Sequence, residues 1–177
     1  SAPLVIIDRR MTMRQLRARA LSLKASRNIV ALIIDHLRLI QIDKGIKVND
    51  RFDRFEYVTG ELKALAKELG VPVILLAQRT IGSQDRDNPE PRVNDLFSGG
   101  ALQQDSDIIV IFWRKDRWLQ QRRPRQDDEK KFAAWQTEMH GCEGYIEASC
   151  VKYRDGPALE KRRFRFNGPK TRLEEVQ

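Results

Sequence analysis

Long hydrophobic runs are missing from this sequence: the longest, Ile29–Ile34 and Val71–Ala77, hold six and seven residues, far fewer than the roughly 18–20 needed to cross a bilayer. No basic opening followed by an apolar core and a small-residue cleavage site begins the chain, so membrane insertion and export are not expected. Cysteine is scarce, with only Cys142 and Cys150. That argues against a disulfide framework and suits a reducing cytoplasm. Near His140 the two cysteines lack paired C-x-x-C units, which argues against zinc. Repeats and low-complexity tracts are also absent. What remains is ordinary globular material, 177 residues with 41% hydrophobic content, enough for one soluble domain spanning 1–177 with a core of its own. The chain opens on Ser1 rather than Met, so it is expected to be a piece of a longer protein.

Charge is plentiful and one-sided. The formal net charge is +8, with seven basic residues in 9–27, six in 114–125 and eight in 152–172. Nucleic acid or nucleotide is the natural partner of such clusters, although any single one also reads as a solvated face.

Along the chain, hydrophobic periodicity alternates between strand and helix. Leu4–Ile7 reads as a short strand ending in Asp8. Thr12 with Gln15 forms a capping box for a helix whose Met13, Leu16, Ala20 and Leu23 share one face. Ile29–Ile34 reads as a strand buried on both faces and closed by Asp35, which serves either as a site residue at the carboxyl edge of a sheet or as a turn or helix cap. Residues 43–52 read as a polar loop. A second helix starts at Phe55, with Val58, Leu62, Leu65, Ala66 and Leu69 on its stripe and Gly70 just past its end. Residues 71–78 form the next buried strand and end in Gln78. Residues 79–95 are a polar loop, 98–107 a tight loop into a short helix, and Ile108–Trp113 a fourth buried strand ending before Arg114. The polar stretch 115–141 reads as an insert with a helix around 127–139, in which Trp118 and Trp135 either stack on bases or bury against the domain. Tyr145–Tyr153 and Leu159–Phe166 alternate and flank an Asp-Gly pair, a hairpin signal. The fold class is α/β, and the polar tips Asp35, Gln78 and Arg114 are expected along one sheet edge.

Four segments taken in order, ALIIDHLRLI, LKALAKELGVPVILLAQ, NDLFSGGALQQDSDIIVIFWR and VKYRDGP…FNGPKTRLEE, resemble the RecA-like motor domain of DnaB-type replicative helicases. The resemblance runs from about residue 4 to 175, except that 115–141 has no counterpart. It implies a RecA-like P-loop NTPase fold, a parallel sheet flanked by helices plus a C-terminal β-hairpin. It also implies roles. Asp35 is similar to the Walker B aspartate that holds Mg²⁺ with ATP; His36, directly after it, reads by position as a site neighbour rather than a general base. Gln78 is similar to the glutamine that senses the γ-phosphate. Lys152 and Arg154 are similar to the hairpin pair that reaches the neighbouring subunit's γ-phosphate, with Arg154 as the arginine finger. The loop implied to grip single-stranded DNA is 93–104, where the family's arginine and acid are replaced by Phe97 and Ser98, followed by Gly99 and Gly100. There, glycine amides could meet phosphate and Phe97 could stack on a base, or Phe97 could anchor the short helix.

The resemblance is incomplete in one respect: no glycine is followed by lysine anywhere, so the phosphate-cradling G-x-x-x-x-G-K-[ST] is absent. The N-terminal P-loop part of the fold is therefore not in this chain, which is expected to be inactive alone. Lacking the P-loop strand, the strand at 108–113 should either join a rearranged sheet or have its edge covered by association. The implied parent is a hexameric ATP-dependent helicase that moves on single-stranded DNA, with a primase and a loader as further partners. Two alternatives remain open: a non-hydrolysing helicase-derived nucleic-acid-binding or interface module, and a RecA-like recombinase, which also has a Gly-Gly loop after its glutamine.

Overall fold

The computed structural model describes residues 3–78, 90–96, 99–157 and 159–176. They fall into two compact units, one within Ser1–Gln78 and Leu96–Ser106, the other within Arg79–Asp95 and Asp107–Gln177. None of the described helices is long and apolar enough to cross a membrane.

The first unit is α/β. Helix α1 (Met13–Arg27) starts at the expected capping box, with the Thr12 hydroxyl accepting from the Gln15 amide and the Gln15 side chain accepting from the Thr12 amide. It buries Met13, Leu16, Ala20 and Leu23, as the periodicity requires. Helix α2 (Arg51–Leu69) begins four residues before Phe55, because Asp50 caps it by accepting from the Asp53 amide at 2.9 Å. Gly70 ends it in the left-handed region at φ 62°.

Strands β1 (Leu32–Ile34) and β2 (Val73–Leu75) pair in parallel, Leu32 opposite Val73 and Ile34 opposite Leu75. Both are shorter than their apolar runs. On the β2 side Pro72 can only accept, here from the Leu32 amide at 3.0 Å, because proline has no N–H. Leu32, Ile34, Val73 and Leu75 pack with α1 and α2. The opposite face is not covered within this unit, and Ile33 and Ile74 are 60% and 49% exposed. The expectation of strands buried on both faces is thus corrected. So is the strand at Leu4–Ile7: no described residue pairs with it, and Leu4 and Ile6 are 71% and 77% exposed. An apolar pattern without a neighbouring backbone to satisfy its N–H and C=O groups makes no strand.

The second unit is built on an antiparallel sheet in the order β3 (Ile108–Trp113), β4 (Tyr145–Tyr153), β5 (Arg162–Asn167), β6 (Arg172–Glu175). Among the described residues the strand at 108–113 pairs with β4, in a sheet separate from β1 and β2. Its alternating burial, with Ile109 and Ile111 in and Ile108, Val110 and Phe112 out, is that of a one-sided antiparallel strand. Strands β4 and β5 do pair, but from Tyr145–Arg165 to Ala148–Arg162, so the Asp-Gly pair does not close a tight hairpin. On its other edge β4 pairs with β3 from Glu147 to Tyr153, with a register shift between Ile109 and Val110. Between β3 and β4 the polar stretch folds as two helices, α4 (Lys115–Gln121) and α5 (Glu129–His140), around Leu119, Met139 and Cys142. Trp118 and Trp135 pack against that cluster, the burial reading of the two tryptophans. The remaining helix, α3 (Gly99–Asp105), belongs to the first unit, as the loop-into-helix reading of 98–107 expects.

Leu65, 1% exposed, lies at the centre of the first unit's core. Leu65→Ala is expected to lower stability by about 2–5 kcal/mol, read as a fall in the urea midpoint. An unchanged midpoint would show that this core does not hold the unit together.

Candidate functional site

The parallel register decides where the first unit's polar residues emerge. Beyond the last paired residues the Leu76 amide donates to Ile34 O at 3.0 Å, and the Leu37 amide donates to Leu76 O at 3.4 Å. These bonds keep the two chain exits side by side for one more step. Asp35 leaves directly after Ile34 and Gln78 three residues after Leu75, both from the carboxyl end of this sheet and both exposed. Open α/β sheets bind ligands at that end. Asp35 does not cap the short 3₁₀ turn Leu37–Leu39 that follows, since its N-terminus at His36 has no side-chain cap. Beside it, His36 Nδ1 is buried and without a partner among the described residues, the kind of orphan polar atom that calls for an explanation near a site.

Arg114, the third expected tip, is not on this edge. It follows β3 in the other sheet and is bound locally, Nε to Asp116 Oδ1 at 2.9 Å and a terminal nitrogen to Oδ2 at 2.7 Å, with its guanidinium 4.6 Å from the Phe166 ring centroid. The single-edge expectation is therefore corrected for Arg114, because a fork-to-fork pair with a buried carboxylate fixes it in place. Asp116 is 2% exposed and also accepts from the Arg117 and Gly144 amides, at 2.8 and 3.4 Å. Burial pushes its carboxyl up, but the Arg114 hydrogen bond, the backbone donors and the Arg114 charge outweigh burial and hold it below the usual carboxylate range. Sequence reasoning missed Asp116, although an Arg-x-Asp pair at a strand end is a readable signal.

The basic pair lies on and just past β4. Lys152 sits opposite Ile109, half-buried, and its carbonyl accepts from the Cys150 thiol at 3.3 Å. Arg154 follows the strand. Its amide donates to Asp107 O at 2.9 Å and its guanidinium meets the Asp107 carboxylate at 3.0 Å, both side chains about half exposed. Asp107 is a second residue that the pattern did not single out.

In the expected DNA-gripping loop 93–104, Phe97 and Ser98 lie outside the described residues. The rest is not an open loop: Val93–Asp95 is a 3₁₀ turn and Gly99 and Gly100 begin α3. A Cβ on Gly100 would come within 3.3 Å of Phe52 Cε2, so this glycine allows α3 to approach α2 closely. Thr59 of α2 donates to the Asp105 carboxylate of α3 and ties the two helices together.

A family model described as the DnaB-like helicase C terminal domain matches residues 1–175. The replicative DNA helicase DnaB of Rickettsia bellii (strain RML369-C) is 33% identical over 151 residues, covering 83% of this chain and 30% of that protein. The replicative DNA helicase DnaB of Geobacillus stearothermophilus is 31% identical over 142 residues, covering 80% of this chain and 27% of that protein. The chain thus spans about 30% of the length of the curated relatives it matches. Among solved structures, a DnaB-like replicative helicase described with its interactions with primase matches at a TM-score of 0.74 and 24% identity, over 97% of this chain and 37% of that one. A second solved structure, described as an ATPase domain, matches at a TM-score of 0.70 and 23% identity, over 94% of this chain and 52% of that one. Likeness at these identities shows the fold, which is RecA-like α/β.

The lowered Asp116 value has a definite pH consequence. A carboxyl depressed in the folded state contributes stability above its unfolded pKa, near 4, and that contribution is lost as pH falls through the lower folded value. Asp116→Asn is expected to lower stability at pH 7 by about 1.5–3 kcal/mol, with the gap to wild type narrowing below pH 4. Urea unfolding at stepped pH would show this, and a gap constant from pH 7 to pH 2 would contradict it.

Proposed function

Because this chain belongs to the DnaB-like helicase C-terminal domain family, we propose that it is the C-terminal part of a replicative DNA helicase, an enzyme that couples ATP hydrolysis to movement along single-stranded DNA and to duplex unwinding. The observation that carries the proposal is the emergence of Asp35 and Gln78 together at the carboxyl end of β1 and β2. Asp35 is assigned to Mg²⁺, and its single exposed carboxylate fits an ion that is usually held by one or two carboxylates plus substrate phosphates. When bound with nucleotide, Mg²⁺ supplies neutralisation of phosphate charge. Gln78 is assigned to the γ-phosphate end of the nucleotide, as an exposed amide able both to donate and to accept.

Lys152 and Arg154 are assigned to the site of an adjacent subunit in a hexameric ring. Arg154 must leave Asp107 to reach a phosphate there. An exposed ion pair is worth only about 0–1 kcal/mol, so exchanging it for a doubly charged partner is easy. Gly99, Gly100, Phe97 and Ser98 are assigned to DNA, with a primase and a loader as further partners and the cytoplasm as the setting. The 177 residues carry no G-x-x-x-x-G-K-[ST], so they should not hydrolyse ATP unaided.

In the complete gene product, Arg154→Ala is expected to lower DNA-stimulated ATP hydrolysis on the order of 10³–10⁵-fold while nucleotide binding persists. Hydrolysis unaffected by the substitution would remove Arg154 from the site. A complete wild-type product that binds DNA but never turns over ATP would favour a non-hydrolysing module.

A further inference from the structure

We propose that the α4–α5 hairpin of the second unit is a sequence-independent docking surface for a nucleic-acid backbone, carried by Arg122, Arg123 and Arg125. It goes beyond the helicase reading and stands on the second unit alone. The hairpin is the part of the chain with no counterpart in the motif resemblance, so the motor roles assigned above do not account for its charge.

The charge is arranged rather than scattered. From Arg117 to Gln126 there are four arginines and no acidic residue. Arg122, Arg123 and Arg125 lie on the exposed turn that leaves α4. The acids that follow are Asp127, Asp128 and Glu129; Asp128 caps α5 and pairs with Lys131 Nζ at 2.7 Å, and Lys130 is exposed beside them.

The aromatic rings beneath hold Arg122 and Arg123 instead of offering themselves to bases. The Arg122 guanidinium lies 4.8 Å from the Trp118 ring centroid, and that of Arg123 lies 5.5 Å from both Phe132 and Trp135. Those two rings stack on each other at 5.7 Å, and the Trp135 indole N–H donates to Leu119 O at 2.9 Å. The two tryptophans are thus fixed on the Leu119, Met139 and Cys142 cluster, and Phe132 on Trp135. Stacking on ring faces uses none of the in-plane N–H donors of Arg123, which match phosphate oxygens in pairs. Its rotamer freedom is already reduced before a ligand arrives. Adjacent arginines on one turn suit the closely repeated charges of a polynucleotide, with no groove or base edge required.

The test uses the complete gene product and a fluorescein-labelled oligothymidylate, with affinity followed by anisotropy across a salt series. Each lost phosphate contact to single-stranded DNA should remove about 0.7 from the slope of log K against log salt. Arg122→Ala/Arg123→Ala/Arg125→Ala is expected to make the slope shallower by about 2 and to weaken binding about tenfold or more at low salt, with ATP turnover at saturating DNA unchanged. The corresponding triple lysine variant should keep the slope. An unchanged slope in the alanine variant overturns the proposal. So does a lysine variant that loses as much as the alanine one, which would mean lost packing, or displacement of DNA by poly-aspartate at equal charge concentration, which would mean an acidic protein partner. If the complete product lacks ATP turnover yet shows the slope change, the helicase reading falls and this surface remains.

Discussion

A slip of one residue in the pairing of Leu32–Ile34 with Val73–Leu75 would turn Ile34 out of the core and send the Asp35 side chain towards it. Helices α1 and α2 forbid that slip, because their apolar stripes close on Leu32, Ile34, Val73 and Leu75 and leave no room for a carboxylate. The register is fixed at its open end by the Leu76 amide on Ile34 O and the Leu37 amide on Leu76 O. Asp35 and Gln78 therefore emerge together because hydrophobic burial sets the strands and the backbone ladder sets their ends. Neither residue contributes to the core it stands on.

The second unit solves a different problem. A highly charged stretch has to return from β3 to β4, and it does so around the buried Asp116, which collects the Arg114 guanidinium and two backbone amides. A carboxylate buried with that many donors is held in its charged form, and it fixes the start of α4 relative to Gly144 at the entry of β4. With Arg114 retained there, Arg122 and Arg123 are left on the outside of the hairpin, over Trp118, Phe132 and Trp135.

Much of this was readable from the residues, and the failures have physical reasons. The capping box at Thr12, the stripe from Phe55 to Leu69 and the stop at Gly70 are local signals, and each stands where the periodicity puts it. The strands were harder, because an apolar run does not say which backbone will pair with it. Ile108–Trp113 read equally well as a member of the parallel sheet, yet its partner is β4, and β6 at Arg172–Glu175 has too little apolar content to announce itself. The Asp-Gly pair signalled a turn, but β5 begins only at Arg162 and pairs with β4 no further than Ala148, so the turn lies beyond the end of their ladder. At the candidate site, Asp35 and Gln78 were visible as polar ends of apolar runs. Asp107 was not, since its importance lies in a partner, Arg154, that only the folded chain identifies, whereas Asp116 stood two residues from its partner Arg114.

On the function proposed, the carboxyl end of the β1–β2 pair is a nucleotide edge. It is tested most directly by measuring Mg²⁺-dependent ATP hydrolysis of the complete gene product carrying Asp35→Asn or Gln78→Ala, with nucleotide binding followed in parallel. Asp35→Asn is expected to abolish the response to Mg²⁺, and Gln78→Ala to bind nucleotide still but lose the stimulation of hydrolysis by single-stranded DNA. Wild-type Mg²⁺ dependence and DNA stimulation in both variants would place the nucleotide elsewhere and contradict the account.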